Sequence, residues 1–381
     1  MIARTLFESD HDMFREAVRK FATREIIPYL EKWDEEGGID RALWQKAGEH
    51  GFLCSTLPTM YGGSEVNRTF SMILLEELSP LGGVGISFAM HSDIVASYIL
   101  RYATEAAKQK YLPKMAAGDC IGALGMSEPG AGSDVKAIRT SAVRDGDHYI
   151  LNGSKTFISN GYECGVVVVV AKTNPEAGAK GVSLLLVDDT MDGFEKGKKL
   201  KKVGLKAQDT AELFFNDVRV PVENLLGEEN RGFFYSMEEL SWERAQIAVA
   251  AVACSKDAIQ RTIDYVNDRK VFGKKVADFQ NTRFKLAELQ TEVQIAEVFV
   301  DKCMELELKG QLDNTSAAMM KYWTTDLQCK VADECLQLHG GYGFMQEYPI
   351  ARAWVDARAQ RIYGGTNEIM KELIARDLLG K

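Results

Sequence analysis

No pair among the cysteines of this 381-residue chain has Cys-x-x-Cys spacing, and their number is odd: Cys54, Cys120, Cys164, Cys254, Cys303, Cys329 and Cys335. A metal cluster and a disulfide framework are both poorly supported by that pattern, and reduced thiols fit it better. Met1–Asp12 lacks the apolar core of a secretory signal. The longest apolar runs, such as Gly165–Ala171, are too short to span a bilayer. We therefore expect a cytoplasmic protein, or a mitochondrial matrix form from which a leader has been removed. No Gly-x-Gly-x-x-Gly follows a strand-like run, which disfavours a doubly wound nucleotide-binding sheet. Positive charge is also short. The 46 Lys and Arg face 55 Asp and Glu, and a net charge of −9 gives no general attraction for nucleic acid or anionic lipid. A polyanionic ligand needs a local basic site.

What is present is an apolar content of 46%, enough for two or three cored domains. The first third reads as helices. Ser9 with Asp12 suggests a capping box for a stripe of Phe14, Ala17, Val18, Phe21 and Ala22, and Gly37-Gly38 ends that stretch. Further helical patterns cover Arg41–His50, Thr69–Leu78, Gly85–Tyr102 and Glu105–Ala117. Near Cys120 the apolar runs become short and β-branched. Tyr149–Asn152, Thr156–Ser159, Val166–Lys172, Val182–Val187 and Glu212–Val220 predict strands in an antiparallel meander or small barrel, with a hairpin at Asn152-Gly153. From about Gly232 the helical period returns. Ala245–Cys254 is small and apolar around most of its circumference, and Met320, Trp323, Leu327, Val331, Cys335 and Leu338 make a bundle stripe. The fold class is mainly α with a central β domain, and the expected domains are 1–119, 120–228 and 229–381.

Five segments carry residues suited to chemistry, and each admits a plainer reading. The loop 126–134 exposes glycines and hydroxyls that suit carbonyl or phosphate oxygens, or it is an ordinary connector. Phe157 and Ser159 share one face, as a platform for a flat heteroaromatic ring or as a half-buried strand. Arg269, before Phe272-Gly273, suits a phosphate, or it is a cation at a helix C-terminus. The glycine clusters 337–344 and 362–368 sit beside helices, where free N–H groups favour anions, or they punctuate those helices. His339 has no second ligand at metal spacing, so no metal is expected. Glu243 heads the apolar run, either as a desolvated carboxylate of raised basicity or as half of a solvated Glu–Arg pair. The lysine-rich 196–202 reads as a solvated β-loop, with partner docking or a phosphate contact as the minority reading.

In order and spacing these segments resemble the acyl-CoA dehydrogenase family, with wording nearest its long-chain branch. The resemblance is carried by GMSEPGAGSD (125–134), NGSKTFISN (152–160), KVGLKAQDTAELFF (202–215), LLGEENRGF (225–233), LSWERAQIA (240–248), RKVFGKKVADFQ (269–280), QLHGGYGF (337–344) and IYGGTNEIMKELIAR (362–376). It implies an α-helical amino domain, a β-barrel-like middle domain and a carboxyl four-helix bundle, assembled as a homotetramer with FAD near a subunit interface. It places Leu124, Met126, Ser127 and Ser133, with Phe157 and Ser159, at the flavin. Arg269, Phe272 and Gln280 come from across the subunit boundary, and Gln337, Gly340, Gly341, Thr366, Asn367 and Glu368 complete the cofactor site. Ser133, Ser241, Arg244, Gly364 and Gly365 fall on the substrate side.

Many members carry the catalytic glutamate just before the Gly-Thr of the last motif. Here that position is Gly364. The long-chain and isovaleryl branches take the base from the helix with the Glu-Arg pair, which makes Glu243 the expected base. A carboxylate moved from 243 to 364 is then expected to restore part of the activity. The implied reaction is α,β-dehydrogenation of a fatty acyl-CoA of medium-to-long or branched chain. The thioester oxygen is held by the N–H of Gly364 and a flavin hydroxyl, and electrons pass to an electron-transfer flavoprotein. An acyl-CoA oxidase, or a binding protein that has lost its base, are the alternatives. The oxidase is disfavoured by chain length and the binding protein by Glu243.

Overall fold

The helical period of the first third resolves, in a computed structural model that describes residues 2–380, into α1 (Ser9–Phe21), α2 (Leu30–Glu36), α3 (Arg41–Glu49), α4 (Arg68–Leu78), α5 (Gly83–Ala89), α6 (Ala96–Tyr102) and α7 (Glu105–Ala116). The first cap lies one residue earlier than the sequence suggests. Glu8 is the N-cap, and its N–H donates to His11 Nδ1 at 2.9 Å, so Ser9 and Asp12 fall inside the helix. Gly37, at φ +69°, closes α2 in the left-handed conformation that glycine adopts without steric cost.

A π-helical turn, Met90–Val95, joins α5 to α6. The 20-residue stretch Gly83–Tyr102 is long and apolar enough to cross a membrane, but 76% of its most apolar window is buried inside the protein, as in a core helix. His91, in the π turn, lies 3.0 Å from Met115 O through Nε2 and accepts the Gly122 N–H at Nδ1 (2.9 Å). Burial pushes its pKa down to about 4, so a neutral ring ties this helix to the sheet.

The middle third forms β1 (Gly122–Gly125), β2 (Ser141–Asp145), β3 (His148–Ser159), β4 (Val166–Lys172), β5 (Val182–Asp188), β6 (Phe194–Lys199) and β7 (Thr210–Pro221) in one curled sheet. Its order is β1-β4-β2-β3-β7-β6, with β5 also on β4. The sheet is mixed rather than the antiparallel meander expected, because β1 and β2 both meet β4 in parallel. β1 leaves into the long loop 126–140 and has no hairpin partner of its own, so it takes an edge of β4.

Asn152-Gly153 is not a turn. It lies inside the 12-residue β3, where the pairing with β7 shifts register between Leu151 and Gly153. Glycine is required there by close approach: a Cβ at 153 would lie 2.7 Å from Thr140 Cα. The hairpin that does form uses Gly146, at φ +62°, between β2 and β3. The lysines of 196–202 are partly spent inside the fold. Lys196 reaches Cys164 O (2.5 Å) and Asp189 (3.1 Å), and Lys202 reaches Gln208 O (2.5 Å).

The last third forms α8 (Gly232–Asp268), α9 (Gln280–Leu308), α10 (Asn314–His339), α11 (Pro349–Gln360) and α12 (Asn367–Leu378). Every residue from Trp242 to Ala253 on α8 is buried, so this helix is covered on several sides, by α4, α9, α10 and α11. In the α10 stripe Met320, Leu327, Val331 and Cys335 are buried, while Trp323 and Leu338 are half-buried. All seven cysteines are free thiols.

One buried ion pair holds the β domain at its most irregular point. Lys155 Nζ lies 2.8 Å from Glu128 Oε1 and 3.1 Å from Met126 O, and the lysine side chain is 0% exposed. Glu128 also accepts the N–H groups of Arg139 (2.6 Å) and Thr140 (3.0 Å). Removing one partner of such a pair strands the other. We expect Lys155→Met to lower the unfolding free energy by about 3 kcal/mol, at the low end of the range because two backbone donors remain on Glu128. Urea unfolding of the variant measures this, and a change within about 0.5 kcal/mol, the level of an ordinary surface substitution, would remove the pair from the framework of the fold.

Candidate active site

Helix α8 does not begin at Glu243. It starts eleven residues earlier at Gly232, so the carboxylate sits in mid-helix with protein on every side. Its neighbours at i−4 and i+4 are Glu239 and Ile247, on the same helix face. Glu243 is 9% exposed and accepts a bond from Tyr98 Oη at 3.4 Å. Burial raises its pKa to about 7 and the charge of Glu239 adds to the rise, while Arg244 and the Tyr98 bond oppose it. Glu239 is itself buried and paired with Arg101 Nη1 at 2.9 Å. Burial holds the Tyr98 hydroxyl well above its ordinary value, so it remains a donor.

The turn between α11 and α12 brings Gly364 to this helix. Gly364 has φ +64° and Gly365 φ +89°. A Cβ at 364 would collide with Ile247 Cδ1, one turn beyond Glu243, so the two regions share one place in the fold. The Gly364 N–H meets no acceptor among the described residues. Two obstacles therefore face a carboxylate moved to 364: a left-handed backbone, and the room taken by Ile247. Sequence reasoning had no access to either.

The loop 126–134 and the end of β3 form one ledge. Ser127 O accepts the Thr156 N–H at 3.0 Å, and the Glu128–Lys155 pair lies directly beneath. Phe157 stands at φ +60° beside a register shift and is 71% exposed. That backbone is strained for a bulky residue and costs about 1–2 kcal/mol. The hydroxyls of Ser127, Ser133 and Ser159 are engaged by no group among the described residues. A ring held out of the core with free hydroxyls around it fits a flat heteroaromatic group with polar edges. Leu124 and Met126 pack against the core beneath.

The remaining predicted cofactor residues lie elsewhere. Arg269 caps the far end of α8, and its guanidinium is 5.4 Å from the centre of the Tyr342 ring. Phe272 is 96% exposed at φ +51°. Gln280 at the start of α9, Gln337 near the end of α10, and Gly340 and Gly341 are all exposed on the described surface. Arg269 is 26 residues beyond Glu243 on one helix, a distance of roughly 39 Å at 1.5 Å per residue. Within one chain Arg269 therefore lies far from Glu243.

Further expectations are refined. Asn367 faces inward and its side chain is fully used: Nδ2 donates to Tyr322 O (3.2 Å), Thr325 Oγ1 (3.0 Å) and Asp326 Oδ1 (3.0 Å), and Oδ1 accepts from Lys321 (2.9 Å). Ser241 donates to Asn314 Oδ1 at 2.9 Å, away from the base. Thr366 is the N-cap of α12, its Oγ1 accepting the Ile369 N–H at 3.3 Å, and Glu368 is exposed in the first turn. Arg244 is 5% exposed, with Nε unpartnered. The sequence reading missed the parts of Tyr98, Arg101, Ile247 and Lys321. Only Lys321, a lone cation in an apolar stretch, left a visible signal. Among the described residues no three His, Cys, Asp or Glu side chains are grouped to hold a metal.

Comparison with known families agrees with this layout domain by domain. The chain matches the acyl-CoA dehydrogenase N-terminal domain over residues 8–119, the middle domain over 123–218 and the C-terminal domain over 230–379. It belongs to the acyl-CoA dehydrogenase family, a family of FAD-dependent oxidoreductases. It is 52% identical over 378 residues to the mitochondrial long-chain specific acyl-CoA dehydrogenase of Sus scrofa, covering 99% of this chain and 88% of that one. The crystal structure of an acyl-CoA dehydrogenase from Geobacillus kaustophilus superposes with a TM-score of 0.97 at 46% identity, over 99% of this chain and 100% of the other. A Mycobacterium smegmatis glutaryl-CoA dehydrogenase in complex with FADH2 gives a TM-score of 0.93 at 29% identity, over 99% and 96%.

A carboxylate accepts a proton only when ionised. With Glu243 at about 7, flavin bleaching by substrate should slow as pH falls below 7, by about tenfold per unit, and level off above it. Glu243→Gln should cut the bleaching rate by roughly 10²–10⁴-fold or more at every pH and abolish that dependence. E243G/G364E should recover little until Ile247 is also shortened to Ala. Stopped-flow reduction of the four proteins distinguishes these outcomes, and near wild-type reduction by Glu243→Gln would remove Glu243 as the base.

Proposed function

We propose that this protein removes a proton from Cα and a hydride from Cβ of a fatty acyl-CoA, giving the trans-2-enoyl thioester. Medium-to-long or methyl-branched acyl chains are its substrates, and an electron-transfer flavoprotein is its oxidant. The observation that carries the reading is Glu243: a buried carboxylate lifted to about 7, on the helix face against which a free backbone N–H is packed.

A thioester α-proton is too weakly acidic for a carboxylate in water to remove it. Two features of the chain change this balance. The Gly364 N–H, which meets no acceptor among the described residues, donates to the thioester oxygen as negative charge develops there, and its effect is largest where water is excluded. Burial of Glu243 raises its basicity towards that of the carbon acid, so that less energy separates them at proton transfer. Bound FAD supplies the acceptor for the β-hydride. Met126, Ser127, Ser133, Phe157 and Ser159, with Leu124 behind them, hold its ring system. Arg244 remains beside Glu243 as a fixed cation on the substrate side.

Arg269, Phe272, Gln280, Gln337, Gly340 and Gly341 serve the cofactor of a second subunit. The separation of roughly 39 Å along α8 between Glu243 and Arg269 supports this, because it puts Arg269 far from the proposed base of its own chain. The exposure of Phe272 (96%) and Phe344 (85%) at the same end supports it too, since isolated rings of that exposure gain from burial against another chain. A homotetramer is the assembly proposed.

The test is anaerobic titration of FAD-loaded protein with butyryl-, octanoyl-, palmitoyl- and 2-methyl-branched acyl-CoAs. The expected result is bleaching by all, with the specificity constant lowest for butyryl-CoA. A protein that takes up no flavin, or one whose specificity constant peaks at butyryl-CoA, would contradict the respective part of the reading.

A further inference from the structure

Lys321, on α10, is an outlier in charge placement. Its side chain is 0% exposed and its neighbours Ala317, Ala318, Met320, Thr324 and Thr325 are buried with it. Among the described residues no carboxylate lies within ion-pair distance of its ammonium. Nζ instead donates to Gly365 O at 2.7 Å and to Asn367 Oδ1 at 2.9 Å. Burying a cation without a counter-ion is costly, and a methionine would fill the same volume without that penalty. Burial pushes the Lys321 pKa down to about 8, with the Arg244 guanidinium adding to the fall while Asp326 and Glu368 oppose it. Near neutral pH the amine is still largely charged.

What this cation holds is the softest piece of backbone in the site. Gly364 and Gly365 are consecutive left-handed glycines, and glycine has the widest choice of backbone conformations. The turn is fastened before them by the N–H groups of Ile362 and Tyr363 on Ala359 O (2.9 and 3.2 Å). After them it is fastened by Asn367 N–H on Arg361 O (3.1 Å) and by the three Asn367 amide bonds to α10 described above. Lys321 bridges the second fastening to Gly365 itself. Without it, the two glycines are free to rotate, and the direction of the Gly364 N–H rotates with them.

We propose that Lys321 is a positioning residue: through Gly365 O and Asn367 it fixes the Gly364–Gly365 turn so that the Gly364 N–H points at the substrate carbonyl oxygen. This rests on the reaction proposed above. It adds a residue that touches neither substrate nor cofactor and explains why a charge is kept in an apolar helix packing.

The test uses FAD-loaded full-length protein and the chromophoric enoyl thioester 4-(dimethylamino)cinnamoyl-CoA, whose absorption moves to the red when its carbonyl oxygen is hydrogen-bonded. Wild-type protein should shift the band. Lys321→Met should bind the thioester and retain FAD, yet lose most of the red shift and lower kcat by about 100-fold, the scale of a misplacement near 1 Å, with KM little changed. Lys321→Gln keeps a donor for Gly365 O without the charge, and it should recover most of the shift. An unaltered band and kcat in Lys321→Met would overturn the proposal. Should Lys321→Met fail to fold, Asn367→Ala removes one arm of the same clamp, and a full wild-type shift in that variant would overturn it equally. If no acyl-CoA reduces wild-type flavin, the reaction reading fails instead, and that outcome is separate from any difference among the variants.

Discussion

Close packing all round α8 is the constraint on which the site depends. Ala245, Ala248, Ala250, Ala251 and Ala253 present almost no side chain and are spread round the circumference of the helix, so neighbouring helices approach its backbone closely. A buried carboxylate just before that stretch loses much of its hydration. Its basicity is therefore a property of helix packing. The same helix runs through the C-terminal domain to Arg269 at its far end, so one rod sets both the depth of Glu243 and its distance from the exposed end at Arg269.

The β domain reaches its part of the site by a different route. Strands are poor at presenting an aromatic ring outward, because an apolar side chain on a curled sheet gains more by turning in. Phe157 is held out by a register shift and a left-handed backbone, and the Lys155–Glu128 pair anchors the strand two residues before it. The ion pair need not add net stability, since desolvation offsets much of its attraction. What it does is join the 126–134 loop to strand β3 and make a single ledge of them.

The glycine turn joins the two halves. At Gly364 the chain offers no side chain, and the tip of Ile247 fills the space beside it. A glutamate there would have to keep a left-handed backbone and turn the Ile247 tip aside.

Much of this was legible in the sequence, and for physical reasons. Helical and strand periods, the left-handed glycine at 37 and the apolar girth of Ala245–Cys254 are local, and they report local geometry. Glu243 was legible as a candidate because it stands just before an apolar run, and the family resemblance selected it. Other features depended on contacts between distant segments. Asn152-Gly153 reads as a turn, and only the approach of Thr140 shows that the glycine serves packing within a strand. Asn367 looks like a ligand residue at a helix start, yet its amide is consumed by α10. Tyr98 and Arg101 carry no local mark of their part in the site, because hydrogen bonding and desolvation are set by whatever side chains the tertiary fold brings within a few ångströms. The sequence alone determined most of the elements and the family, and it singled out Glu243. Only the tertiary structure decided how strongly that carboxylate is desolvated, that the Gly364 turn packs beside its helix, and that the buried Lys321 fastens that turn.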